Sequence, residues 1–221
     1  MFELLKKITP VGLRRFVKRR IRGYREAEEK LIPKYELSQK HIANLKAVPN
    51  REALLELLPK GGIVAEIGVD RGEFSRLILQ KTQPSKLHLI DVWHSKRYHS
   101  GLMEEVKNKF DSEISKKLVE INLGLSLDAG ARFPDQYFDW VYIDTTHSYK
   151  LTRDELALYS TKVKPGGILA GHDFTRGNWA IKFRYGVIEA VYEFCVKNDW
   201  EIIYLSMENE TPASFAIRKI R

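Results

Sequence analysis

Five side chains able to do chemistry fall where two successive strand-like segments end. The segment DWVYIDTTHSYK leads into Asp144, His147 and Tyr149, and the segment GGILAGHDF leads into His172 and Asp173. Two carboxylates and two imidazoles at one sheet edge would make a divalent-metal site. Hard cations take carboxylate oxygens. An imidazole ligand shifts the preference from Mg²⁺ towards Mn²⁺, Fe²⁺ or Zn²⁺. The competing reading is structural, with each histidine capping a helix or bonding loop backbone.

A second constellation is VAEIGVDRGEFS, residues 64–75, placed between a strand-like run and a helix-like one. Gly68 and Gly72 allow a tight turn and close approach to a ligand. The helix beginning near Gly72 offers free N–H groups. Glu66 sits at a strand end, where open α/β sheets bind ligands, and could hold a cationic amino group. Asp91 ends the next strand in LHLIDVW, roughly 20 residues on, where dinucleotide folds place an acid on ribose hydroxyls. Gly68, Gly72 and Asp91 together point to an adenosine-containing ligand. The loop is not G-x-G-x-x-G, which counts against NAD or FAD. The alternative is a structural glycine turn flanked by two surface acids.

These residues need a scaffold, and the chain spells one out from residue 61 onward. Strand-like runs at Ile63–Ile67, Leu87–Asp91, Leu118–Asn122, Trp140–Ile143 and Gly167–Ala170 alternate with helix-like stretches at Ser75–Lys81, Glu104–Lys117 and Thr152–Ser160. Such alternation implies a parallel sheet with helices on both faces. After a helix over Ile188–Val196, two strand-like runs, Trp200–Leu205 and Ser214–Ile217, are joined only by SMENETPA. So short a link holds no crossover helix, so this pair must be antiparallel. The expected fold is therefore a Rossmann-like, mostly parallel seven-stranded sheet closed by an antiparallel hairpin.

Ahead of it, residues 1 to about 48 read as helical and interrupted by Pro10 and Pro33. Asn50 is placed to cap a short helix, REALLELL, ended by Pro59 and Gly61-Gly62. The domain division expected is a basic helical extension over 1–60 and a catalytic domain over 61–221. Of the net charge of +8, much lies in the first thirty residues, which hold ten Lys and Arg against four Glu. The stretch LRRFVKRRIRGYR reads either as a surface helix touching anionic lipid or nucleic acid, or as a solvated helix packed on the domain or a second subunit. Peripheral membrane contact and a homodimer are thus both expectations for this extension. No apolar run approaches a membrane span, and no secretory signal is evident. Cys195, the single cysteine, rules out an internal disulfide and fits a reducing cytoplasm. Its apolar neighbours make it a buried hydrophobe rather than a nucleophile.

The segments EIGVDRGEFS, LIDVW, DWVYIDTTHSYKLTRDEL and KPGGILAGHDF together resemble the successive motifs of class I S-adenosylmethionine-dependent methyltransferases. They are most similar to the branch of macrocin-type and mycinamicin-type sugar O-methyltransferases. The resemblance runs from Gly61 to the C-terminus and suits the terminal hairpin, since that fold has one reversed strand. It implies that Glu66, Gly68 and Gly72 line the methionine and ribose end of S-adenosylmethionine, that Asp91 binds the ribose diol, and that Ser126 lies near the adenine. It implies that Asp144 and His147, in the D-x-x-H segment, supply a metal ligand and a general base. An acidic pair completes the metal site in that branch. Here it reads His172-Asp173, so Asp173 matches and His172 departs. Asp70 stands where many methyltransferases have a third glycine.

The expected chemistry is metal-assisted O-methylation of a small-molecule hydroxyl, a sugar among the candidates. Asp144, His172 and Asp173 would hold Mg²⁺ or Mn²⁺ and His147 would take the proton. Two other classes compete. A nucleic-acid-modifying methyltransferase docked through the basic N-terminus is disfavoured, because Asp144-Thr145-Thr146-His147 replaces the Pro-Pro-aromatic signature of amino methylation. A non-catalytic cofactor-binding module would keep the fold without the chemistry. Residues 93–110 and 174–185, rich in aromatic and basic residues, read as the acceptor side or as a packed lid.

Overall fold

A computed structural model describes residues 29–93, 101–178 and 183–220. The chain divides into two compact units, Met1–Lys34 and Tyr35–Arg221. The basic stretch 13–25 lies outside the described residues, as do 94–100 and 179–182 of the two expected acceptor-side segments. Among the described residues no helix is long and apolar enough to cross a membrane.

The second unit is built on an eight-stranded sheet. Its strands are β1 (Lys46–Val48), β2 (Ile63–Ile67), β3 (Lys86–Asp91), β4 (Val119–Leu123), β5 (Phe138–Ile143), β6 (Val163–Gly171), β9 (Trp200–Ser206) and β10 (Phe215–Lys219). They run in the order β1-β9-β10-β6-β5-β2-β3-β4. Only β10 is reversed, pairing antiparallel with both β6 and β9. A separate hairpin joins β7 (Gly177–Asn178) and β8 (Phe183–Arg184).

Helices cover both faces, which is why the central strands are apolar almost throughout. In β5, Trp140 and Tyr142 enter one core and Val141 and Ile143 the other. The first core is closed by α1 (Arg51–Leu57), α2 (Glu73–Thr82) and α3 (Leu102–Lys109). The second is closed by α6 (Tyr149–Lys162) and α7 (Val187–Asn198). The short helices α4 (Asp111–Ser115) and α5 (Ser126–Gly130) fill connections. Asn50 caps α1 by accepting the Ala53 N–H at 2.9 Å.

Three features depart from expectation. The sheet has eight strands rather than seven, because Lys46–Val48 pairs parallel with β9. Three residues are too few to show a strand period. The helix expected over Glu104–Lys117 breaks at Phe110, whose fully buried ring anchors the turn between α3 and α4. The compact unit also begins at Tyr35, so β1 and α1 pack ahead of the expected boundary at residue 61.

The parallel register sets the site. Ile67 is level with Ile90 and Ile143, and Ile143 is level with Gly171. Gly68, Asp91, Asp144 and His172 therefore emerge side by side at the carboxyl edge.

Candidate active site

Gly68 follows β2 with φ +88°, and a Cβ there would sit 1.8 Å from the Asp144 carbonyl oxygen. Only glycine lets these two strand ends meet. Gly72 opens α2 at φ +74°, and a Cβ there would strike the Phe110 ring at 2.7 Å. Asp70 adopts φ +50° without being glycine, a region aspartate tolerates. Its N–H donates to Asp91 Oδ2 at 3.0 Å and its carbonyl accepts Trp93 Nε1 at 3.0 Å. Asp91 also accepts Val69 N–H at 2.8 Å, Val92 N–H at 2.6 Å and Trp93 N–H at 3.2 Å. Its carboxylate thus fastens the glycine loop to the end of β3.

A cavity of about 670 Å³ opens beside this loop. Gly68, Asp91 and Ser126 line one side, and Asp144, His147 and Tyr185 line another. Glu66 and Gly72 are not among its lining residues. Gly72 packs the loop. Glu66 is buried and accepts the Ser75 hydroxyl. Burial pushes its carboxyl up to about 8, against the pull of that hydrogen bond.

The carboxyl ends of β5 and β6 bring the other four residues together. His147 Nδ1 lies 2.8 Å from Asp173 Oδ2. His172 Nδ1 lies 3.3 Å from the same oxygen and 3.8 Å from Asp144 Oδ2. Asp144, His147 and Asp173 can each offer one ligand atom, all within 4.8 Å of one another. His172 stands beside this trio, and its buried Nε2 has no partner. Burial raises the Asp144 carboxyl above its ordinary range, and the charge of Asp173 adds to the shift while the two histidines oppose it. Burial works to raise Asp173 as well, but hydrogen bonds from His147 and His172 outweigh it and hold that carboxyl far below the usual range. His147 at φ +59° and Asp173 at φ +56° both take left-handed backbone conformations. Strain of this sort persists only where surrounding structure enforces it, and it concentrates at working sites.

Two carboxylates and an imidazole this close fit a divalent cation. Tyr149, by contrast, turns away to donate to Glu193 on α7.

Two residues escaped the sequence reading. Glu155, on α6, is fully buried and accepts Thr145 Oγ1 at 2.9 Å, while its Oε1 has no partner. Burial pushes it up to about 7, with Ser126 and Thr145 pulling the other way. Nothing in RDELALYS separates this acid from a solvated one. Tyr185 places its ring 4.8 Å from that of His147. The aromatic content of 174–185 was the signal for it, though not for which ring.

Comparison with known proteins agrees with this geometry. Residues 65–174 match the family model described as a methyltransferase domain. No curated protein matches the chain. A putative rRNA methylase of Clostridium thermocellum superposes with TM-score 0.58 at 13% identity, over 79% of this chain and 98% of that one. A tRNA methyltransferase of B. subtilis gives 0.54 at 13% identity, over 84% and 68%. A geranyl diphosphate methyltransferase solved with S-adenosylmethionine gives 0.56 at 11% identity, over 76% and 85%. At such identities the likeness is one of fold. Residues 65–174 therefore match a methyltransferase domain, and the sheet that carries them has the fold of methyltransferases of known structure.

Proposed function

We propose that the protein transfers the methyl group of S-adenosylmethionine to a hydroxyl oxygen of a small, sugar-like acceptor. One observation carries the reading: a single cavity is shared by the loop side (Gly68, Asp91, Ser126) and the acid–imidazole side (Asp144, His147). On the loop side the adenosyl group would lie with its ribose towards Asp91 and its adenine towards Ser126. Glu66, behind the loop, would meet the methionine ammonium.

On the other side a hydroxyl must lose its proton as its oxygen attacks the sulfonium methyl. His147 is the acceptor of that proton. Its Nδ1 is committed to Asp173, which fixes the tautomer and leaves Nε2 as the base. The C–S bond breaks as the O–C bond forms, and S-adenosylhomocysteine leaves neutral at sulfur. Asp144 and Asp173 would hold the divalent cation, which when bound makes the acceptor hydroxyl more acidic. His172 would steady Asp173 through the same oxygen. The RNA-modifying neighbours share the fold alone, and the Asp144–His147 segment favours oxygen over amino nitrogen as the acceptor atom.

The test pairs calorimetry of S-adenosylhomocysteine binding with radiolabelled methyl transfer to a panel of sugars and polyols, with and without Mn²⁺. Asp144→Asn, His147→Ala and Asp173→Asn should each bind S-adenosylhomocysteine and lose transfer. Full transfer by all three variants, or preference for NAD over the adenosyl ligand, would reject the reading.

A further inference from the structure

Arg51 opens α1, outside the matched segment. Its guanidinium lies 4.7 Å from the centre of the Phe74 ring. Other arginines of this unit do find anionic partners: Arg76 pairs with Glu113, Arg184 with Glu189 and Arg218 with Glu201, whereas Arg132 donates to the Leu123 carbonyl. Among the described residues, the Arg51 guanidinium has no hydrogen bond or ion pair, only the ring beneath it. A partly buried guanidinium with five unused donors is costly unless something anionic is to occupy them.

What lies around it says where that anion belongs. Phe74 is in the first turn of α2, the helix that Gly72 opens without any side-chain cap. Its ring packs 4.4 Å from that of Tyr142, two residues before Asp144. The positive charge of Arg51 acts on Glu66, Tyr142 and Asp144 alike. Arg51 therefore overlooks the stretch between the glycine loop and the acid–imidazole cluster. A methyl donor must place its amino-acid end in that stretch if its adenosyl end lies along Gly68, Asp91 and Ser126.

We propose that Arg51 binds the α-carboxylate of the methionine end of S-adenosylmethionine, opposite Glu66, which takes the α-ammonium. This rests on the cofactor reading given above. The pair would recognise a zwitterion by its two charges, one from α1 and one from β2. A guanidinium suits a carboxylate because two parallel N–H groups match its two oxygens. The uncapped first turn of α2 adds a favourable potential below it.

The experiment compares two probes that differ only at this end. S-adenosylhomocysteine carries the carboxylate and ammonium, and 5′-methylthioadenosine carries neither. In calorimetry, Arg51→Gln should weaken S-adenosylhomocysteine on the order of 10–100-fold, the value of a charged hydrogen-bonded contact. It should leave 5′-methylthioadenosine unchanged, and Arg51→Lys should recover part of the loss. A thermal melt of each variant confirms folding. A ligand-side probe needs no variant: decarboxylated S-adenosylhomocysteine should bind the native protein about as weakly as the full ligand binds Arg51→Gln. Equal loss for both probes would show Arg51 merely shaping the loop, and no loss for either would free it for another role. Either result overturns the proposal. Native protein binding neither probe would instead overturn the cofactor reading itself.

Discussion

The two sides of the cavity are built on opposite principles. On the loop side the turn is already tied down before any ligand arrives. Asp91 accepts four backbone N–H groups, and Trp93 closes on Asp70. On the acid–imidazole side needs are left open. Asp144 is raised by burial next to a second carboxylate, and His172 Nε2 has no partner. The lesson is a division of labour. The loop side is a rigid mould, and its binding should tolerate no change of shape. The other side is a set of unmet electrostatic demands, and its function should respond to charge rather than to volume.

The strongest way to break that contrast is a shape change in the mould. Gly68→Ala puts a methyl against the Asp144 carbonyl and forces φ +88° on an L-residue. Calorimetry should find no S-adenosylhomocysteine binding, and a thermal melt should fall by many degrees. Retained affinity would mean the loop is not a mould. Next comes a charge change of nearly constant volume on the other side. Asp173→Asn should cut methyl transfer by about 10²–10⁴-fold, the range for a positioned acid–base group. Cofactor affinity should stay within about twofold, and a parallel loss of affinity would merge the two sides into one.

A third measurement uses pH. Glu66, pushed to about 8, and Glu155, pushed to about 7, bind protons more tightly folded than unfolded, where glutamate titrates near 4.5. Their stabilising protonation is complete below about 4.5 and is lost as pH rises through 7 to 8. The melting temperature of the ligand-free protein should carry a falling component across that window. Glu66→Gln should flatten it, and so should saturating S-adenosylhomocysteine, whose ammonium would favour the ionised carboxylate. An unchanged slope in Glu66→Gln would remove Glu66 as its source. The smallest effect is expected at Asp70→Gly. Relief of φ +50° and the greater freedom of an unfolded glycine oppose each other, so stability should move by less than about 1 kcal/mol in denaturant titration.

The same contrast explains what could be read from the sequence. The mould announces itself locally: glycines at fixed spacing, acids at strand ends and continuous apolar strands are short-range signals. Gly68, Asp91 and the reversed strand β10 were legible that way, whereas Ser126 came only from the family resemblance. Glu155 was not, because whether an acid faces solvent or core depends on α6 packing against β5 and α5, contacts a helical period does not encode. Nor was Arg51, which reads as an ordinary first-turn residue until Phe74 arrives beneath it from another helix. β1 was hidden for a different reason. Its three residues become a strand only because β9 offers them a parallel edge.

That edge strand has a practical meaning for handling the protein. β1 occupies the outer rim of β9, covering N–H and C=O groups from Tyr204 to Ser206. A chain started at residue 61, where the motifs begin, would leave that rim bare and apolar around Ile202 and Ile203. Uncovered rims of this sort recruit strands from other molecules. The shortest well-behaved fragment is therefore set by solubility at one end of the sheet rather than by catalysis at its centre, and it must begin before Lys46.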